Sequence, residues 1–174
     1  NEQGYLGASV DKISARLNVT KGSFYHHNEA KDDLVVACFQ RTLDVMRQTQ
    51  RQAILAGGDG WRRTASAAMA LIHRQATHTA PLLRTSALTS TPEPMQRALV
   101  AEFDRVSLTF ASTVSDGIAD GSIRPVDAHI AAQALTAAIN AAAELEYWAP
   151  GASSQAAAEA YARALLTGVG TFLS

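Results

Sequence analysis

The segment from Ser9 to Lys31 reads SVDKISARLNVTKGSFYHHNEAK, and it predicts two short helices joined by a tight turn. Ser9 is a favourable N-cap because its hydroxyl can accept from a free backbone amide, and apolar residues follow it at helical spacing. Asn18 tolerates the left-handed conformation of a sharp helix exit, and Thr20 caps the next helix. Such a pair is a helix-turn-helix, a motif that places its second helix in the major groove of DNA.

The charge of this segment is suited to phosphate. No acidic residue occurs from Lys12 through Asn28, although the whole chain has a formal net charge of −1. Gly22 lets backbone approach a base edge, and the free amides after Thr20 form an anion site at the start of the helix. The predicted DNA contacts are Ser9, Thr20, Lys21, Gly22, Ser23, Tyr25, His26 and Lys31. The alternative is a solvated basic helix pair on a larger helical protein, with Tyr25 and Lys31 in structural roles.

This segment resembles the DNA-binding part of the TetR-family transcriptional regulators. The matching positions are Ser9, Ile13, Val19, Gly22, Tyr25, His27, Lys31 and Leu34. Asn28 departs from the family pattern, which has Phe at that position, and Ser14 and Asn18 are milder departures. The family also has a further helix before the position of Gly4-Tyr5, which is not among these residues. The resemblance implies a dimeric repressor of a palindromic operator, released by a small molecule.

The remainder of the chain predicts helices throughout, so the expected fold class is all-α. No Pro or Gly occurs from Lys31 to about Leu55, which predicts one long connecting helix. The residues predicted to lie along one face of this helix are Leu34, Ala37, Cys38, Arg41, Val45 and Gln48. A second helix is predicted from Gly60-Trp61, with a stripe of Ala65, Ala68, Met69, Ile72 and Ala76, and a third from Pro92-Glu93-Pro94 to about Asp120. The predicted domains are 1–40, for DNA binding, and 41–174, for effector binding and dimerisation.

The last fifty residues predict two alanine-rich helices, the first capped by Asp127 and the second by Ser153 or Ser154. A domain of this size cannot bury both apolar faces, so a two-fold dimer is expected. The alternative is that both faces pack only on the chain's own core. The predicted interface residues are Ile130, Ala134, Ala138, Ala141, Tyr161, Leu165, Val169 and Phe172.

Large apolar residues of the middle helices are candidates to line an effector pocket. The candidates are Trp61, Met69, His73, Met95, Leu99, Phe103, Phe110 and Trp148. Aromatic and methionine side chains on a helix stripe also commonly form ordinary core, which is the alternative for each of them. The apolar set suits a hydrophobic or aromatic ligand.

Other classes of function lack support in the sequence. The five histidines show no metal-ligand spacing, and no nucleophile elbow or phosphate loop occurs, so we expect neither an enzyme nor a cofactor or metal site. Cys38 lies on a predicted apolar helix face, which favours an inert thiol over a redox sensor. The absence of a membrane or signal segment favours the cytoplasm. The competing hypothesis is an all-helical ligand-binding or adaptor dimer without specific DNA binding.

Overall fold

A computed structural model of the chain describes residues 28–77, 82, 88, 91, 93–148 and 154–167. Its elements are all helices, as the sequence predicts. They are α1 (Asn28–Leu55), α2 (Gly60–Ala76), α3 (Glu93–Asp120), α4 (Ala128–Ala141), a 3-10 turn (Ala142–Glu144), α5 (Leu145–Trp148) and α6 (Ser154–Thr167).

Helix α2 is the centre of the described fold and packs against α1, α3, α4 and α6. Small residues on its buried face, including Thr64, Ala67 and Ala68, let the neighbouring helices approach closely. Leu71 and Ile72 supply its fully buried aliphatic side chains. The predicted stripe of α2 was wrong at Met69, which is 47% exposed, whereas Ala65 is half-buried and packs against the core.

The buried face of α1 also differs from the predicted one. Phe39, Leu43 and Met46 are almost completely buried, whereas Ala37, Arg41 and Gln48 of the predicted stripe are exposed. Leu34, Cys38 and Val45 of the predicted stripe are partly buried, so the stripe lies at the edge of the buried face and not along its centre. The ring of Phe39 meets that of Phe103 on α3 edge to face, with centroids 5.9 Å apart and an interplanar angle of 88°. This contact fixes α1 against α3.

The start of α2 is fastened to the end of α3. The Gly60 amide donates to Asp120 Oδ2 at 2.8 Å, the Ser122 amide donates to Asp120 Oδ1 at 2.9 Å, and the Trp61 amide donates to Ser122 Oγ at 3.0 Å. The bonds from Gly60 and Trp61 satisfy amides that the first turn of α2 leaves without intrahelical partners. The hydrogen bond from the Ser122 side chain, followed by those from the Gly60 and Ser122 amides, lowers the pKa of the Asp120 carboxyl.

Helices α3 and α4 join through buried hydroxyls. Ser107 Oγ on α3 and Thr136 Oγ1 on α4 lie 3.2 Å apart. Helix α4 begins at the predicted N-cap, because the Asp127 carboxylate accepts a hydrogen bond from the Ile130 amide at 2.9 Å. The buried face of α3 includes apolar residues that recur at helical spacing, namely Leu99, Phe103, Val106, Phe110 and Val114. Helix α3 thereby presents one face to the core and leaves its N-terminal half beside α1.

Candidate functional site

The predicted DNA contacts fall almost entirely outside the described residues. Ser9, Thr20, Lys21, Gly22, Ser23, Tyr25 and His26 are not described, and of Lys31 only the backbone, in the first turns of α1, is described. The structure therefore gives these contacts no geometry, and they stay predictions from the sequence. What the structure does describe is the helix that continues from this segment and the surfaces beside it.

An open cleft of about 460 Å³ lies between α1 and the N-terminal half of α3. Helical spacing produces its walls, because residues three and four apart fall on one face of each helix. Helix α1 contributes Val36, Gln40, Leu43, Asp44 and Arg47, and α3 contributes Met95, Ala98, Leu99 and Glu102. The buried residues of this lining, Leu43 and Leu99, are apolar, and its charged residues are Asp44, Arg47 and Glu102.

Arg47 bridges the rim of this cleft. Its guanidinium contacts Glu102 Oε2 on α3 at 2.5 Å and Asp44 Oδ1 on α1 at 3.3 Å. Glu102 also pairs with Arg105, one turn further along α3. The Arg47 side chain is 43% exposed, so each of these pairs contributes only about 0.2–1 kcal/mol. Such a bridge between two helices can be opened at small cost.

A second, smaller groove of about 230 Å³ adjoins the cleft at Arg47 and continues along the C-terminal half of α1. Its lining consists of Arg47, Gln50, Arg51, Ile54, Leu55 and Thr109. Gln50 is buried and its Nε2 donates to the Val106 carbonyl oxygen at 3.0 Å. The two grooves therefore share one arginine and form a single amphipathic surface between α1 and α3.

The structure gathers some of the predicted effector residues and separates others. Met95 and Leu99 line the cleft, and Phe103 is buried just below, against Phe39. Phe110 is fully buried and Trp61 is partly buried against the core. Met69 and His73 lie on the exposed face of α2, and the Trp148 side chain falls outside the described residues.

The polar residues of the grooves were not predicted from the sequence. Arg47 on α1 pairs with Glu102, which lies 55 residues later in the chain, and Gln50 donates to the carbonyl oxygen of Val106, which lies 56 residues later. No local motif signals such a contact, since a charged residue at the edge of an apolar stripe usually faces solvent. The contact depends on how α1 and α3 are rotated about their axes relative to each other, which the sequence does not show.

The predicted dimer residues lie mainly on surfaces of α4 and α6. Ile130 is 67% exposed, and Ala134 and Ala141 are exposed on the same side of α4. Tyr161 is half-buried and donates to the Ala138 carbonyl oxygen at 2.9 Å, joining α6 to α4 within the chain, and burial raises its pKa. Leu165 is half-buried, whereas Val169 and Phe172 fall outside the described residues. The face of α4 that carries Ile130, Ala134 and Ala141 is therefore apolar and exposed, and most of its side chains are small.

Two negative findings apply to the described part of the chain. None of its helices is long and apolar enough to cross a membrane. In the same residues, no group of three or more histidine, cysteine, aspartate or glutamate side chains could hold a metal ion.

Comparison with known families gives two matches that together span most of the chain. The model of the bacterial regulatory proteins of the tetR family matches residues 1–38. The model of the tetracyclin repressor-like C-terminal domain matches residues 59–169. The transposon Tn10 TetC protein of Escherichia coli is 48% identical over 42 residues, which are 24% of this chain and 21% of that protein. The matched region thus spans about a fifth of that curated relative.

Solved structures share the fold at low sequence identity. A TetR-family regulator from Agrobacterium tumefaciens has a TM-score of 0.78 at 20% identity, over 98% of this chain and 90% of that one. AibR, in complex with isovaleryl coenzyme A and operator DNA, has a TM-score of 0.76 at 17% identity, over 95% and 90%. The ketosteroid regulator KstR2 of Mycobacterium tuberculosis has a TM-score of 0.72 at 19% identity, over 98% and 88%. At these identities the likeness concerns the fold.

Proposed function

Because this chain belongs to the TetR family of bacterial regulatory proteins, we propose that it represses transcription as a homodimer on a palindromic operator until a small hydrophobic ligand releases it. The observation that carries the proposal is the family match to both parts of the chain, with α1 running from the first part alongside the cleft. AibR, similar in fold, has been solved with both an acyl coenzyme A and operator DNA, which supports a regulator of this kind. The protein would act in the cytoplasm by binding rather than by catalysis.

Helix α1 supplies the physical connection in this proposal. Its 28 residues extend about 42 Å, beginning inside the segment that matches the DNA-binding family model and continuing past the cleft. A ligand that separates α1 from α3 would tilt this helix and thereby displace the DNA-binding segment from which the helix continues. The ligand must bind the tilted state more tightly, since differential affinity is what shifts a two-state equilibrium. The predicted boundary between the DNA-binding domain and the effector-binding domain, at residue 40, falls within α1. The division into these two domains is part of the proposal.

DNA binding is tested with the intact protein and a fragment from upstream of its own gene. We expect specific binding, measured by fluorescence anisotropy, whose affinity falls steeply as the salt concentration rises. The variants Lys21→Ala and Tyr25→Ala should lose specific binding while their sedimentation stays that of the unaltered protein. Binding that is absent or independent of salt would overturn the regulator proposal and favour the adaptor hypothesis.

The homodimer is proposed to form through α4 and α6, because the outer face of α4 exposes Ile130 among small residues. A single recognition helix makes too few contacts for tight binding, so two must be held at a fixed spacing. Sedimentation should give twice the 18.4 kDa of this chain. Ile130→Arg should shift the protein toward monomer, whereas Met69→Arg, on the exposed face of α2, should leave the dimer intact. A monomer before mutation would contradict this interface.

A further inference from the structure

Helix α4 continues into α5 through a 3-10 turn, and this turn changes the direction that the residues after it face. A 3-10 helix has about 3.0 residues per turn and an α-helix about 3.6, so the three residues Ala142–Glu144 add about 60° of rotation. Ala142 and Ala143 are buried beside α2. On a regular α-helix Tyr147 would lie about 100° around the axis from Ile130, whereas with the turn it lies only about 40° away.

The turn thereby brings Tyr147 onto the exposed apolar face of α4. Tyr147 is 76% exposed and Ile130 is 67% exposed, and the two lie about 27 Å apart along the helix axis. The residues between them on this face are alanines, namely Ala134, Ala137 and Ala141. The face therefore has one large apolar side chain at each end and small side chains in the middle.

A second copy of the chain fits this face, because the face is complementary to itself about its own centre. Small residues let two helices approach closely where they cross, and crossed helices diverge on either side of that point. A two-fold axis midway between Ile130 and Tyr147 places the alanines at the crossing. Ile130 of each protomer then lies opposite the partner's Tyr147, and these large side chains fill the space between the diverging helices.

Other arrangements of two copies cover less of this face. The exposed residues of α6, within Ser154–Thr167, are alanine, polar or charged, so they offer Ile130 no large apolar partner. A two-fold axis beside Ile130 leaves Tyr147 in solvent, because α4 begins only two residues before Ile130. An interface of standard size buries about 800 Å² per partner, and a face about 10 Å wide and 27 Å long supplies less than half of that. A stable dimer therefore needs the full length of this face, together with part of α6.

We propose that two copies of the chain pair through α4 and α5 in antiparallel orientation, with Ile130 packed against the partner's Tyr147 at each end of the contact. This pairing rests on the proposed homodimer. It adds the orientation of the two helices, the position of their crossing and an anchor residue on α5 that is not among the predicted interface residues. The 3-10 turn has a specific part in it, since a regular helix would direct Tyr147 away from the partner.

Disulfide cross-linking tests the pairing in the intact protein after its only cysteine, Cys38, is replaced by Ser. A disulfide requires two Cα atoms within about 7 Å of each other. A chain with both Ile130→Cys and Tyr147→Cys should form a covalent dimer on mild oxidation. Neither substitution alone should do so, because the two copies of one position lie about 27 Å apart along the helix axis in this pairing.

The contribution of Tyr147 is measured by sedimentation. Tyr147→Ala should raise the dissociation constant of the dimer about tenfold or more, because each dimer loses two buried aromatic contacts. Leu55→Ala removes a side chain of similar exposure, 75%, from the end of α1 and should leave the dissociation constant unchanged.

Three results would overturn the pairing while the homodimer stands: a covalent dimer of either single-cysteine variant, no covalent dimer of the double variant although it sediments as a dimer, or equal effects of Tyr147→Ala and Leu55→Ala. If the unaltered protein sediments as a monomer, the homodimer is overturned together with the pairing. The failure of the pairing and the failure of the proposed function are thus distinguishable.

Discussion

Among the described glycines, Gly60 is the one at which an added Cβ atom would lie closest to other atoms. A Cβ atom there would lie 2.1 Å from the Gly117 amide nitrogen and 2.3 Å from its Cα, both backbone atoms that cannot rotate away. We predict that Gly60→Ala lowers the free energy of unfolding by about 3 kcal/mol or more, because α2 must separate from α3. Urea unfolding followed by circular dichroism measures this. Ser66→Ala, on the exposed face of α2, should stay within about 0.5 kcal/mol of the unaltered protein.

Asp120 gives the same junction a dependence on pH. Its pKa is lowered in the folded state below the ordinary 3.8, so its stabilising contribution is present above that value and is lost as the pH falls through the folded pKa. Asp120→Ala should therefore lower Tm at neutral pH, and the difference from the unaltered protein should shrink in acid. Asp104→Ala is the control for removing an exposed carboxylate from α3. A Tm difference for Asp120→Ala that is constant from pH 7 to pH 3 would contradict this role of the carboxylate.

At the scale of the elements, the existence of the helices could be predicted from the sequence, but the rotation of α1 could not. The ends of α1 and α3 follow from Gly, Pro and capping residues, which act locally. The face that α1 buries depends on what α3 offers to it, above all Phe103 against Phe39. An alternative stripe with the same spacing was available in the sequence, and local pattern could not choose between the two.

The corrected face of α1 leads to a stability prediction. Met46 is 2% exposed, while Gln48, two residues later on the stripe that the sequence suggested, is exposed. Met46→Ala should cost about 2–5 kcal/mol, because it leaves a cavity between α1 and its neighbours. Gln48→Ala should change stability by less than about 0.5 kcal/mol. Thermal and urea unfolding of the two variants would show which face of α1 is buried, and equal effects would contradict the orientation described above.

At the scale of the whole molecule, we predict that the Arg47–Glu102 pair couples a ligand in the cleft to the DNA-binding segment. It joins α1 to α3 at the rim of the cleft, and Arg47 also belongs to the smaller groove. If the pair favours the DNA-binding state, Glu102→Gln should shift the equilibrium toward the released state. An exposed pair of this kind corresponds to a change of up to about fivefold in affinity. In a two-state equilibrium DNA affinity then falls and effector affinity rises, and the ratio of the two affinities changes by the same factor as the equilibrium constant.

Helix α3 provides a matched control for this coupling. Glu93 pairs with Arg97 at 3.1 Å within the same helix, so Glu93→Gln removes the same kind of charge without touching the junction of α1 and α3. Glu93→Gln should leave the affinity for DNA unchanged, whereas Glu102→Gln should lower it. Both affinities are measured by fluorescence anisotropy at one salt concentration, because phosphate contacts make DNA affinity depend on salt. If both variants weaken binding equally, the effect comes from net charge, and the pair across the cleft does not transmit the signal. A selective effect of Glu102→Gln would instead show that ligand and DNA act on the same contact between α1 and α3.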